Sequence, residues 1–168
     1  GVPVNVTLLF SRKQYVAAAE AYLRGIERRI AAGLNPDVGS VASLFVSRWD
    51  VAVADKAPDA LRNQLGIAVA GQIYESYRSL LNSPRMQRVF NAGARCQRLL
   101  FASTGTKDPK ASDTLYIHAL AAPLVFAPDI EGHRPAISFR APLRTIFAPH
   151  FPAHHPRRLP FPTISHFS

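Results

Sequence analysis

The sequence predicts an α/β fold, part of an α/β barrel or of a doubly wound sheet. Three observations point there. Short β-prone apolar runs alternate with segments of helical spacing, and each intervening segment is long enough for a parallel crossover. The strands at 2–10, 40–46 and 98–102 all end in hydroxyl and cationic residues: Ser11-Arg12-Lys13, Ser47-Arg48 and Ser103-Thr104-Gly105-Thr106-Lys107. In parallel α/β architectures the carboxyl ends of the strands are where small anionic ligands bind. Three such ends therefore predict one site for a phosphorylated small molecule.

Val2–Phe10 is apolar on both sides apart from Asn5 and Thr7, the pattern of a central strand covered on both faces. Asn5 and Thr7 are two apart, so their side chains are expected on one face. They are either a mutually bonded pair in a core layer or polar groups put to use, since unpaired burial is costly. Ser11 is the expected N-cap of a helix running to about Ala32. Tyr15, Ala18, Ala19, Tyr22, Leu23, Ile26 and Ile30 form its apolar face, and Gly33 and Pro36 end it.

The second strand, Ser40–Val46, is expected to empty into a polar, cationic loop at Arg48, Trp49 and Asp50. A long helix should follow with Pro58 near its first turn and Leu61, Leu65, Val69, Ile73, Tyr77, Leu80 and Leu81 on one face. Asn82-Ser83-Pro84 breaks it, and a short helix is expected at Arg85–Ala92. The third strand is Arg98–Ala102, the loop Ser103–Ser112, and the last helix Asp113–Ala122, which Pro123 stops. Three strands cannot close a barrel and leave unpaired edges, so the piece reads as incomplete.

The totals narrow the function. The 168 residues suit one domain, and 48% apolar content suffices for a core. No apolar run of about 18 residues occurs, which argues against a membrane partner. Gly1-Val2-Pro3-Val4-Asn5 has no initiator Met and no signal-like pattern, so the chain is expected to begin mid-domain. A single cysteine, Cys96, has no intramolecular disulfide partner, and a reducing, cytoplasmic setting is the expectation. With no His or carboxylate near it in sequence, Cys96 is expected to be inert. The net charge of +9 raises nucleic acid as a partner, but the basic residues lie along helical segments interleaved with Glu20 and Glu27, and strand aromatics for base stacking are missing. No nucleic-acid partner is expected.

Composition shifts at Leu124. Eight of the fourteen prolines and five of the six histidines fall after it, so residues 124–168 are expected to form an irregular Pro/His/Arg-rich tail, disordered or translated out of frame. His150, His154 and His155 suggest zinc, but Pro149, Pro152 and Pro156 interrupt the helix that would align them. No acid or Cys completes a set, and no metal is expected.

Three motifs agree on one family. Asn5-Val-Thr-Leu-Leu-Phe-Ser11, Ser43-Leu-Phe-Val-Ser-Arg48 and Ala102-Ser-Thr-Gly-Thr-Lys-Asp-Pro109 resemble transaldolase, in particular its longer bacterial subfamily, which also occurs fused to glucose-6-phosphate isomerase. The resemblance covers residues 1–123. It implies a partial (β/α)8 TIM barrel of about three β/α units with an irregular C-terminal tail. It also implies a cofactor-free enzyme of the pentose phosphate pathway that moves a dihydroxyacetone unit between sugar phosphates through a lysine Schiff base.

By the same resemblance Asn5 would touch the carbonyl-derived carbon or its hydroxyl, and Thr7 would hold the proton-transfer water. Ser43 would bond a substrate hydroxyl, and Arg48, Ser103 and Lys107 would clamp the phosphate. Shorter transaldolases carry arginine where Lys107 stands. The family's nucleophilic lysine lies on the strand before the Asn-Val-Thr strand. The four lysines here, Lys13, Lys56, Lys107 and Lys110, all fall in polar loops or at helix starts. The chain alone is therefore expected to be inactive, an internal piece carrying the phosphate side of the site. Its expected partners are sugar phosphates, with no oligomeric state assigned. Two competing classes are a non-catalytic sugar-phosphate or nucleotide module, which would want a glycine-rich turn that Phe10-Ser-Arg-Lys13 lacks, and a basic-tail interaction protein, whose binding would depend steeply on salt.

Overall fold

The computed structural model describes residues 1–123, 125 and 126. Ten elements follow in order: β1 (Val4–Leu9), α1 (Arg12–Ala31), β2 (Ser40–Phe45), α2 (Ser47–Ala52), a 3-10 turn (Asp59–Leu61), α3 (Leu65–Leu81), α4 (Pro84–Asn91), β3 (Arg98–Ala102), α5 (Leu115–Ala119) and β4 (Val125–Phe126). The strands form one parallel sheet in the order β1-β2-β3-β4. The α/β class is as the alternation predicts.

The helix boundaries follow local chemistry. Ser11 caps α1, its Oγ accepting the Gln14 N–H at 3.2 Å. The helix ends where Gly33 takes a φ of +67°, a conformation that costs a side chain dearly and glycine nothing. Ser83 caps α4 in the same way through Met86 N–H at 3.1 Å, with Pro84 at the first helical position.

One face of the sheet is buried. Leu9, Ala42, Leu44, Leu99, Phe101 and Val125 meet Tyr15 and Ala19 of α1, Ala70, Ile73 and Tyr77 of α3, and Tyr116 of α5. Burying a side chain such as Leu44 stabilises the fold by about 2 kcal/mol. A second cluster of Leu23, Ile26, Met86, Val89 and Ala94 seats α4 on α1. Outside it, Arg85 bonds Glu27 at 2.6 and 2.8 Å and Glu20 at 2.6 Å.

Several expectations need correction. β1 is not central: among the described residues it has one strand neighbour, β2, and Val2, Val4 and Leu8 are exposed. Among the described residues, helices cover it from one side only. Residues 47–52 form α2 rather than a loop, and α3 starts at Leu65, not near Pro58. Pro58 instead precedes the 3-10 turn, and Leu61 is exposed, because the chain winds through turns until it reaches a distant cap. The last helix is shorter than Asp113–Ala122. Val125 and Phe126 add a fourth strand beside β3, inside the segment expected to be tail. The rest of that tail, with His150, His154 and His155, lies outside the described residues.

Candidate functional site

Because all strands run the same way, Phe10, Val46 and Ala102 bring their following residues to one edge of the sheet. The ladder between β2 and β3 continues past the strand ends: Val46 N–H donates to Ala102 C=O and Ser47 N–H to Ser103 C=O, both at 3.0 Å. The hydroxyls of Ser47 and Ser103 sit 2.9 Å apart. Trp49 reaches over from α2 and its indole N–H donates to Phe10 C=O at 2.8 Å. Three strand ends are thereby held together.

Asn5 and Ser43 meet on the sheet face opposite the helices. The buried Ser43 hydroxyl donates to Asn5 Oδ1 at 2.8 Å. The partner of Asn5 is thus Ser43 and not Thr7. The two-residue spacing that linked Asn5 with Thr7 is interrupted by a bulge: Val6 pairs with Ala42 and Leu9 with Leu44, so Thr7 and Leu8 both lie opposite Ser43. Leu8 has a φ of +59°, a left-handed conformation that strains a side chain. Thr7 is exposed.

Arg48 is exposed at the start of α2, its guanidinium 4.9 Å from the centre of the Phe45 ring. Stacking orients the planar cation and leaves its N–H fork for an anion. No carboxylate among the described residues pairs with it. Ser103, with a φ of +56°, turns the chain away from β3 toward Lys107. Lys107 is exposed and lines a cavity of about 270 Å³ together with Ser47, Asp50, Arg62, Asn63 and Tyr116. The structure therefore joins Asn5 with Ser43 and, through Ser47, Arg48's helix with Ser103. It shows no hydrogen bond from Lys107 to Ser103 among the described residues.

Beneath these groups lies a residue that the sequence reading left unassigned. Asp50 is 6% exposed. Its carboxylate accepts Leu65 N–H at 2.9 Å, Gly66 N–H at 3.1 Å and Tyr116 O–H at 2.7 Å. Burial, then the bond to Asp50, pushes the Tyr116 phenol well above its ordinary value. Nearby, Asn63 Nδ2 donates to Asp108 at 3.0 Å. The Lys110 N–H and that Asn63 bond hold the Asp108 carboxyl below its ordinary range.

Residues 1–125 match the Transaldolase/Fructose-6-phosphate aldolase family. The chain belongs to this family. It is 45% identical over 131 residues to a transaldolase of Parafrankia sp., a match covering 73% of this chain and 36% of that protein. It is 43% identical over 121 residues to one of Neisseria meningitidis, covering 71% and 34%, and 44% identical over 131 residues to one of Thermobifida fusca, covering 73% and 36%. The chain thus spans about a third of the length of these transaldolases.

Within this transaldolase-family segment, no three His, Cys, Asp or Glu residues are placed to hold a metal ion among the described residues. No described helix is long and apolar enough to cross a membrane. Burial raises the pKa of the Cys96 thiol, which works against thiolate chemistry. Asp50 and Tyr116 carry no role in the sequence pattern because their partners are remote in the chain. The one local signal was Asp50 itself, an acid beside an apolar strand.

Proposed function

We propose that this chain forms the phosphate-holding part of a transaldolase-type enzyme. That enzyme transfers a dihydroxyacetone unit between sugar phosphates in the cytoplasm by way of a lysine Schiff base. The observation that carries the proposal is the shared strand edge, where Ser47 and Ser103 interlock beside the stacked Arg48, which pairs with no carboxylate among the described residues. Arg48 holds the phosphate with Ser103 and Lys107, Ser43 and Asn5 bond substrate hydroxyls, and Thr7 holds the proton-transfer water. A hydroxyl, an amide and two cations suit a sugar phosphate.

The four parallel strands are read as part of a (β/α)8 barrel, with the barrel portion reaching Phe126 and the tail following it. The nucleophilic lysine is not supplied by this chain. Lys13, Lys56, Lys107 and Lys110 are all exposed and none lies in a strand, whereas a Schiff-base amine needs partial desolvation to be neutral and nucleophilic.

The test is titration of the full chain with fructose 6-phosphate, followed by fluorescence of Trp49, the single tryptophan. Binding that Arg48→Ala weakens at least tenfold, without transaldolase turnover, is the expected result. Absence of binding by the folded chain would overturn the phosphate assignment, and turnover by the purified chain would overturn the lysine argument.

A further inference from the structure

We propose that Asp50 is the positioning residue that sets the spacing between the Arg48 arm and the Ser103–Lys107 arm of the phosphate site. The inference rests on the sugar-phosphate reading above and adds to it the device that holds the two arms together.

The need for such a device follows from local structure. α2 carries Ser47 and Arg48 but is six residues long, with no side-chain cap at Val46. A helix that short does not hold its shape alone. α3 has the opposite deficiency: it is 17 residues long, yet Gln64 supplies no side-chain cap for its first N–H groups. Asp50 answers both. From α2 it accepts the Leu65 and Gly66 N–H groups and places its negative charge at the positive end of α3. The chain between, 53–64, closes into a loop tied at its base.

The second arm reaches the same carboxylate. The loop after β3 carries Ser103 and Lys107 and leads into α5, whose Tyr116 O–H donates to Asp50 Oδ2. The Asn63–Asp108 bond ties the two loops a second time. Gly66 shows how tightly the joint is fitted. A Cβ there would lie 2.6 Å from both Asp50 Oδ2 and Val46 C=O, closer than real contacts allow. Helix, strand exit and carboxylate press together because that residue has no side chain.

An apolar side chain at position 50 would fill the space without the desolvation cost of a buried anion. What it would not do is fix a direction. Three donors from two segments, the Leu65 and Gly66 N–H groups of α3 and the Tyr116 O–H of α5, determine the carboxylate plane, and with it the orientation of α2. Asp50 and Arg48 are two apart on α2 and so do not face each other: the carboxylate is buried beneath the helix while the exposed Arg48 guanidinium stacks on Phe45.

The experiment compares the full chain with Tyr116→Phe and Asp50→Asn. Fructose 6-phosphate affinity is read by Trp49 fluorescence, amide exchange at Ser47 by NMR, and stability by urea. Tyr116→Phe removes one donor and leaves the ring in the core, so it tests the idea even if Asp50→Asn folds poorly. The expected result is an affinity about tenfold lower in Tyr116→Phe, with faster exchange at Ser47 and unchanged exchange in α1. In an Arg48→Lys background the same change should cost clearly less, because the effect passes through Arg48. A merely structural role would give equal losses in both backgrounds. Wild-type affinity in Tyr116→Phe, where Arg48→Ala still weakens binding, overturns the positioning role and leaves the phosphate reading standing. Failure of the wild-type chain to bind fructose 6-phosphate instead overturns that reading itself.

Discussion

β1 and β2 are neighbouring strands of similar apolar composition that live in different environments. Leu44 of β2 is 1% exposed and Leu8 of β1 is 50% exposed. β2 is flanked by strands on both sides and runs on through ladder bonds into α2. Among the described residues β1 is flanked on one side; it bulges at Thr7–Leu8 and carries a strained φ. Both strands place a polar side chain on the open face, Asn5 and Ser43, and these two bond each other. The buried strand thus anchors the exposed one. Burial at the site is graded: it is greatest where β2 and β3 meet and least where β1 bears Thr7.

The comparison is broken most directly in the core of β2. Leu44→Ala should destabilise the chain by about 2–5 kcal/mol, because it leaves a cavity between sheet and helices. A loss under about 1 kcal/mol in urea unfolding would show that the inner strand is no better packed than the edge.

A smaller effect separates the strands from the helix layer beneath them. Arg85 hydrogen bonds hold the Glu27 carboxyl below its ordinary value of 4.5. A depressed folded-state value means the contribution is complete above the unfolded value and is lost as pH falls through the folded one. Glu27 is partly exposed, so the contribution is no more than about 1 kcal/mol. Arg85→Met should reduce stability by that amount at pH 7 and by almost nothing once Glu27 is protonated. Equal urea-midpoint losses at pH 7 and near pH 3 would contradict the assignment.

The smallest effect is expected on β1. Leu8→Gly relieves a left-handed φ at a half-exposed position, at the cost of the added freedom of glycine in the unfolded chain. A change between zero and about 1 kcal/mol in favour of the variant is expected. A loss above 1 kcal/mol would mean that the Leu8 side chain is packed more firmly than its exposure indicates.

Local chemistry was legible in the sequence. Ser11 and Gly33 bounded α1, the 3.6-residue spacing of Tyr15, Ala19, Leu23 and Ile26 picked out its buried face, and the apolar runs at 40–46 and 98–102 became β2 and β3. These signals act over a few residues, through hydrogen-bond rings and side-chain periods that each segment carries within itself. The spread of hydroxyls and cations over three strand ends was legible for the same reason, since parallel pairing brings like ends together.

Other features came from partners far along the chain. The exposure of β1 depends on how many strands flank it, and an apolar run does not encode that number. The helix at 47–52 and the late start of α3 depend on Asp50 meeting Gly66, 16 residues away, and Tyr116, 66 residues away. The Ser47–Ser103 contact closes over 56 residues. The sequence by itself determined the alternation of elements, the Ser11 cap of α1 and the family to which they belong. Only the tertiary structure decided which strand is buried and which acid joins the two arms of the site, because both depend on neighbours that the fold alone brings together.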